Sequence, residues 1–166
     1  VKYSNGTESK CKKTIKMDKT VPSCSVSGGS TWTRNNVTVT GKCSDSTSGC
    51  KASTVSVTKS STINQNVSPG TVEDKAGNKT TCGTKLVQID KTAPSCSLCG
   101  GSTWTRNNVT VTGYCSDGQS GCASSSVSVT KSSTMNQYVS PGTVRDKVGN
   151  TTTCGTKMVQ IDKTPP

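Results

Sequence analysis

Short stretches of the chain alternate apolar and hydroxyl-bearing residues. Segments 36–40 and 54–58 place a valine at every second position, with Thr or Ser between the valines. A period of two is typical of a β-strand that buries one face. Residues 85–89 predict a further strand, and no window carries the 3.6-residue apolar stripe of an amphipathic helix. The pattern therefore predicts an all-β protein.

The sequence repeats itself with a period of 72 residues. The segment Asp18-Lys-Thr-Val-Pro-Ser-Cys24 recurs as Asp90-Lys-Thr-Ala-Pro-Ser-Cys96, and Asp162-Lys-Thr-Pro-Pro closes the chain. Residues 18–89 and 90–161 differ at only 15 of 72 positions. This period exceeds the about 20–50 residues of solenoid repeats and fits separately folded beads on a string.

The repeat predicts three parts of the chain. Residues 1–20 correspond to the C-terminal hairpin of a truncated preceding unit, and two complete units follow at 21–92 and 93–166. A start in mid-unit, without a signal peptide, predicts a mature segment cut from a longer array.

Turn-forming residues separate the predicted strands within each unit. They include Gly28-Gly29, Asn35-Asn36, Ser68-Pro69-Gly70 and Gly77-Asn78. Six or seven short strands in about 72 residues, with turns at close spacing, predict an antiparallel β-sandwich. We expect its inward-facing residues to be Trp32, Val37, Val39, Val55, Val57, Val72, Val87 and Ile89, with Trp104, Val109 and Val111 opening the same set in the second unit.

The composition argues against an enzyme. Apolar residues make up 28% of the chain, aromatic residues 3%, and both Phe and His are absent. Without His the commonest general base and the commonest catalytic metal ligand are missing. A Ser nucleophile would need a desolvated Lys as its base, and few apolar residues are available to build that pocket. No apolar run approaches the about 20 residues that span a bilayer, so we also expect no membrane insertion.

Several motifs resemble a known family. A unit opens with Asp-Lys-Thr-Ala-Pro at 90–94, places Trp32 before the strand at 36–40, and carries Gly-Thr-Val-Glu-Asp-Lys-Ala-Gly-Asn at 70–78. Together these resemble the tandem Ig-like repeats of bacterial surface and secreted proteins, which also occur in some phage structural proteins. The second unit departs at Val148, and the family at large lacks the four cysteines per unit.

The resemblance implies a fold and a location. The fold would be a string of tandem Ig-like antiparallel β-sandwiches. The location would be extracellular, on a bacterial cell surface or in a secreted fibre, with a phage structural protein as another source. Ten cysteines in a chain with few apolar residues also indicate an oxidising compartment, in which disulfides supplement small cores.

Ig topology, if adopted, brings four cysteines of each unit to the pole that faces the preceding unit. Four cysteines allow three connectivities. We favour Cys24–Cys82, because the first and last strands lie side by side, and Cys43–Cys50, which closes a short loop. A Cys24–Cys43 bridge stays open because those strands would pair antiparallel, and a four-thiolate zinc site is the rival interpretation. The second unit repeats the favoured pairs as Cys96–Cys154 and Cys115–Cys122.

Cys11 and Cys99 have no partner in this scheme. Cys11 aligns with Cys82, so its partner would lie upstream, and Cys99 replaces Ser27 of the first unit. Each is either a free thiol or half of an intermolecular bridge.

Six aspartates are candidate calcium ligands. Asp18 precedes the first strand, Asp45 follows the second, and Asp74 precedes the turn at 76–78, so Ig topology brings all three to the same pole. Ca²⁺ takes about six to eight oxygen ligands, and calcium at junctions is what a resemblance to giant-adhesin arrays implies. The corresponding residues of the second unit are Asp90, Asp117 and Asp146.

A metal-free joint is the alternative. Aspartates commonly accept backbone N–H bonds in turns, and Lys19 or Lys75 would neutralise the carboxylates. Pro22 and Pro94 would limit bending of the linkers without a metal. We therefore expect no obligatory cofactor, with Ca²⁺ at the junctions as the one candidate.

The formal net charge of +11 does not by itself indicate nucleic-acid binding. The lysines are spread along the repeat, and few aromatic residues are present to stack on bases. We therefore expect a structural spacer, joined to further Ig-like units of the same chain, that presents another domain away from a surface. Two alternatives stay open: an adhesive module for host polymers or anionic wall polymers, and a filament subunit in which residues 1–20 complete a neighbouring protomer by strand addition.

Overall fold

The computed structural model describes residues 13–166, and in this range every regular element is a β-strand. No helix long and apolar enough to cross a membrane is found there. The strands of the first repeat are β1 (Ser23–Gly28), β2 (Val37–Ser44), β3 (Thr54–Lys59), β4 (Ile63–Val67), β5 (Thr71–Glu73), β6 (Lys79–Thr81) and β7 (Lys85–Ile89). Those of the second are β8 (Ser95–Gly100), β9 (Val109–Ser116), β10 (Ser126–Lys131), β11 (Met135–Val139), β12 (Thr143–Arg145), β13 (Thr151–Thr153) and β14 (Lys157–Ile161).

Each repeat pairs its strands antiparallel and in the same order. In the first repeat β1, β2 and β3 form one sheet, while β4 pairs with β7 and β5 pairs with β6. The second repeat has the same three sheets. Each pairing joins strands of one repeat, and the arrangement is consistent with a β-sandwich. The domain boundaries themselves stay a prediction.

The main apolar cluster of each repeat is small, and in the first repeat it lies between the β1–β2–β3 sheet and the β4–β7 sheet. Val37 and Val39 of β2 pack with Val87 and Ile89 of β7, and Val67 closes the cluster. The valines that alternate with threonines are the buried ones, because successive side chains of a strand point to opposite faces. The second repeat builds the equivalent cluster from Val109, Val111, Val139, Val159 and Ile161.

The expectation that both tryptophans face inward was wrong. The side chain of Trp104 is 58% exposed and that of Trp32 is half-buried. Thr105 forms the bridge to Ile161, so Thr105 shares the inward side with Ile161 and its neighbour Trp104 lies on the outer side. Val55 and Val57 are only half-buried, because β3 is an edge strand of its sheet.

The predicted N-terminal hairpin, residues 1–20, lies mostly outside the described residues. Its described part, residues 13–20, contains no strand, and the side chains of Ile15 and Met17 are exposed. These two residues align with Val87 and Ile89, which β7 buries against β4 of the same repeat. Within the described residues, Ile15 and Met17 therefore have no strand that corresponds to β4, which pairs with β7 and helps to bury Val87 and Ile89.

Candidate functional site

The four disulfides join the pairs that we favoured from the sequence. Cys24 bonds to Cys82 and Cys43 to Cys50 in the first repeat. Cys96–Cys154 and Cys115–Cys122 repeat them in the second. All eight cysteines are oxidised in these pairs, so no thiolate is left to form the alternative zinc site.

The reason given for Cys24–Cys82 needs correction. Strand β1 pairs with β2, whereas β7 pairs with β4, so the first and last strands belong to different sheets. Cys24 lies directly opposite Cys43 across β1 and β2, as the alternative pairing supposed. Nevertheless Cys24 bonds to Cys82, which follows β6. This bridge therefore links two separate sheets of one repeat.

A glycine makes room for this disulfide. A Cβ atom at Gly41 would lie 2.8 Å from the sulfur atoms of both Cys24 and Cys82. Gly113 faces the equivalent disulfide at 2.7 Å from both sulfurs. Since real Cβ atoms do not approach other atoms this closely, a side chain at either glycine requires the disulfide to move.

The unpaired cysteine of the described residues is Cys99, and its side chain is exposed. It lies on strand β8, opposite Thr112 of β9. The other expected unpaired cysteine, Cys11, lies outside the described residues.

The six predicted aspartates form two clusters, which we call the carboxylate triads. In each triad one carboxylate oxygen from every member lies within 4.8 Å of the others. The first triad is Asp18, Asp45 and Asp74, and the second is Asp90, Asp117 and Asp146. Each therefore joins a linker aspartate to the loop after the second strand and to the loop after the fifth.

Backbone amides, hydroxyls and a side-chain amide donate hydrogen bonds to the second triad. Asp90 Oδ2 accepts from the Ser120 amide at 3.1 Å and from the Ser120 hydroxyl at 2.6 Å. Asp117 Oδ2 accepts from the Gly121 amide at 2.6 Å. Asn150 Nδ2 donates to Asp146 Oδ2 at 2.7 Å and to the Asp90 carbonyl at 3.1 Å. The negative charge is thus surrounded by N–H and O–H dipoles.

The first triad has a similar network, except that the Ser48 hydroxyl donates to Asp45 Oδ2 at 3.4 Å. The Ser48 amide donates to Asp18 Oδ2 at 3.0 Å, and Asn78 Nδ2 bridges Asp74 Oδ2 and the Asp18 carbonyl at 2.7 and 3.2 Å. Lys75 lines a small cavity with Asp18. In the range 13–166 the ion pair that forms is Lys51–Glu73, at 3.3 Å, so the triads have no cationic partner there.

Hydrogen bonds keep the linker aspartates charged. Donation by the side chains of Thr20 and Ser48 lowers the pKa of Asp18 to about 2. Burial by itself raises the pKa of Asp90, but hydrogen bonds from Ser120 and Thr92 outweigh burial and lower the pKa overall. Both carboxylates are therefore ionised at neutral pH.

The donor set of a triad fits a hard divalent cation. Three carboxylates provide oxygen ligands of the type that Ca²⁺ prefers, and carbonyl oxygens or water would complete its coordination. A bound Ca²⁺ would cross-link the linker to two loops of the following repeat. The protein's own donors already make that cross-link, as described for Ser120 and Asn150.

Sequence reasoning missed Ser48, Ser120, Asn78 and Asn150, which hold the triads to the linkers. A signal exists in the Asp-x-x-x-Asn spacing at 74–78, because an Asp side chain often bonds to backbone amides of the turn that follows. Identity between the two repeats carries little information here, since 57 of 72 positions are identical.

Compared with models of protein families, with curated proteins and with solved structures, the chain matches none of them. The resemblance to bacterial Ig-like repeats therefore rests on the sequence motifs alone.

Proposed function

We propose that these repeats are stiff, disulfide-stapled spacers of an extracellular surface protein or fibre, which hold another domain away from a surface. The observation that carries this proposal is that one linker residue, Asp90, is hydrogen-bonded to both repeats. We call Asp90 and the groups that bond to it and to the adjoining Lys91 the inter-repeat joint.

On the first repeat, the linker backbone bonds to two loops. The Asp90 amide donates to the Thr33 carbonyl at 2.8 Å, and the Lys91 amide donates to the Thr62 hydroxyl at 3.0 Å. Lys91 Nζ also donates to Asn36 Oδ1 at 2.9 Å. The linker therefore continues the fold of the first repeat beyond β7.

On the second repeat, the same linker bonds through its carboxylate and its carbonyl. Ser120 donates twice to the Asp90 carboxylate, which is fully buried, and Asn150 donates to the Asp90 carbonyl. Arg34 adds a direct contact between repeats by donating to the Gly149 carbonyl at 3.4 Å. Because hydrogen bonds to a charged group contribute about 1.5–3 kcal/mol each, bending at Asp90 would be costly.

The joint recurs with the period of the sequence. Asp18 bonds to the first repeat as Asp90 bonds to the second. At the other end of the second repeat the Asp162 amide donates to the Thr105 carbonyl at 2.9 Å, and the Lys163 amide to the Thr134 hydroxyl at 3.1 Å. Identical joints at a fixed period would give an array a regular, extended shape.

Three further observations support an extracellular spacer. Four disulfides fit an oxidising extracellular setting. The Ig-like motifs at 90–94 and 70–78 support a tandem Ig-like arrangement and a bacterial surface or fibre protein. The cavities next to Asp18 and Arg106 are open to solvent, which does not suit a desolvated catalytic lysine. We therefore propose no enzymatic activity.

Residual dipolar couplings of the full chain test the stiffness of the joint. We expect a single alignment tensor for both repeats. The double variant Ser120→Ala/Asn150→Ala removes two side-chain hydrogen bonds to the linker, those from the Ser120 hydroxyl and the Asn150 amide, and we expect two separate tensors. Ser128→Ala is the matched control, because Ser128 is an exposed residue of β10 away from the joint. Two tensors in the unsubstituted chain would contradict the spacer.

A further inference from the structure

The second repeat exposes all three of its aromatic side chains. Trp104, Tyr114 and Tyr138 are 58%, 50% and 68% exposed, while the core is built from Val and Ile. Aromatic side chains are the largest apolar groups available to a small core. Exposed aromatic residues that lie together on one face are therefore a candidate binding surface.

Tyr138 lies on the outer face of the sheet formed by β11 and β14, and Trp104 lies on the same side of the molecule next to β14. Asn136 pairs with Gln160, and Gln160 Nε2 donates to Asn136 Oδ1 at 3.3 Å, so both amides lie on one face. Tyr138 and Met158 are the next pair on that face, two residues along each strand. Trp104 lies on the other side of β14, next to the Thr105–Ile161 bridge.

We call Trp104, Asn136, Tyr138, Met158 and Gln160 the aromatic face. Its two rings lie on opposite sides of β14, which puts their backbones roughly 10 Å apart, or two strand spacings. Between the rings lie the two side-chain amides, which offer both donors and acceptors. The face therefore has two apolar platforms with hydrogen-bonding groups beside them.

A positively charged edge adjoins this face. Arg106 follows Trp104 by two residues and lines a cavity of about 500 Å³ with Asp162 and Lys163. Thr164 donates hydrogen bonds to the Asp162 carboxylate, so that acid is already engaged. Arg106 has no hydrogen-bond or ion-pair partner in residues 13–166, whereas its counterpart Arg34 donates to Gly149 across the joint. The edge therefore complements an anionic ligand, as does the net charge of +11.

We propose that the aromatic face of the second repeat binds an acidic polysaccharide. The C–H faces of two sugar rings stack on Trp104 and Tyr138, and the Asn136 and Gln160 amides bond to sugar hydroxyls. A carboxylate of the sugar chain pairs with Arg106. This binding is separate from the spacer function, which is tested by alignment and does not depend on a ligand.

The first repeat provides a comparison within the same chain. Asn66 stands where the second repeat has Tyr138, and Leu86 stands in place of Met158. Trp32 is half-buried, and Arg34 is engaged in the joint. The same sheet is present with the same amide pair, Asn64 and Gln88, but without the second ring. The first repeat therefore does not bind the polymer.

Fluorescence titration of the full chain with hyaluronan octasaccharide tests the proposal. Trp32→Phe leaves Trp104 as the reporter, and we expect saturable quenching. Tyr138→Asn, which restores the residue of the first repeat, weakens binding by about tenfold, the effect of one lost aromatic contact. Arg106→Gln weakens binding and reduces its dependence on salt. Tyr114→Lys restores the residue of the first repeat, Lys42, on the sheet formed by β8, β9 and β10, and it leaves the affinity unchanged.

Several outcomes overturn the proposal. One is the absence of quenching by hyaluronan, and another is equal weakening by Tyr114→Lys and Tyr138→Asn. Equal affinity for neutral chitin hexasaccharide rejects an acidic ligand. Tighter binding of a single-stranded thymidine oligonucleotide of the same charge assigns the face to nucleic acid instead. Circular dichroism of each variant confirms that it is folded before titration.

Discussion

Removal of the Cys24–Cys82 disulfide should destabilise the first repeat more than removal of Cys43–Cys50. Each pair joins one buried cysteine to one half-buried cysteine. Replacement of either pair by alanine therefore removes a similar amount of buried sulfur. What differs is the length of chain that each bridge closes, so the two double variants form a matched comparison.

The difference can be calculated from the two loop lengths. The bridged residues are 58 positions apart in Cys24–Cys82 and 7 apart in Cys43–Cys50. The chain-entropy relation gives about 4.2 kcal/mol for the long loop and about 2.4 kcal/mol for the short one. We expect the long-loop variant to be less stable by about 1.8 kcal/mol, which lowers the melting temperature of a domain of this size by about 7–14 °C more.

Differential scanning calorimetry of the full chain would measure both variants. The unaltered second repeat keeps its own transition and serves as the reference in each sample. Double substitution at Cys96 and Cys154 should reproduce the long-loop effect in the second repeat. If the short-loop variant lost as much stability as the long-loop variant, or more, the entropic explanation would be refuted and native-state packing around the short loop would dominate.

Four further outcomes are expected. Gly41→Ala should cost about 1–3 kcal/mol through its clash with the disulfide, while Gly83→Ala should be nearly neutral in the same urea unfolding experiment. Because the pKa of Asp18 is lowered to about 2, its contribution to stability is complete above about pH 4 and is lost as the pH falls through 2. Thermal melts between pH 5 and 2 should show this loss of stability. The variant Asp18→Asn should lose less stability over the same pH range. Ca²⁺ or a chelator should leave the melting temperature unchanged, because the triads are held by protein donors; an increase with Ca²⁺ would contradict this. Non-reducing electrophoresis should show a monomer, with Cys99 as an exposed thiol that a maleimide labels in the folded state.

Much of the fold could be predicted because burial follows a simple alternation. The strand predicted at 85–89 is β7, and those at 36–40 and 54–58 lie within one residue of the observed starts of β2 and β3. Strand β4 was missed because Ile63-Asn-Gln-Asn-Val67 has apolar residues only at its ends. The two tryptophans were placed wrongly, since composition identifies them as apolar but does not reveal which side of the Thr33 and Thr105 bridges they occupy.

The carboxylate triads were predictable for a different reason. Loops at one end of a sandwich lie close together regardless of the exact strand pairing. The positions of Asp45 and Asp74, directly after their strands, were therefore sufficient to predict the cluster. The disulfide partners followed from the same pole, even though the supposed adjacency of the first and last strands was incorrect. The donors to the linker were not predictable, because Ser48 and Asn78 resemble many other polar residues of the chain until the loops are brought together.

The two repeats share the residues that bond to the linker aspartates, and they differ on the outer surface. The residues that bond to the linker aspartates are the same in both copies: Thr33 and Thr105, Ser48 and Ser120, Asn78 and Asn150. Two large changes of chemistry fall instead on exposed strand positions, where Lys42 and Asn66 become Tyr114 and Tyr138. An outward-facing side chain of a strand does not enter the core, so its replacement leaves packing and joint unaltered. A spacer built in this way can therefore acquire a binding face in one repeat without loss of stiffness along the array.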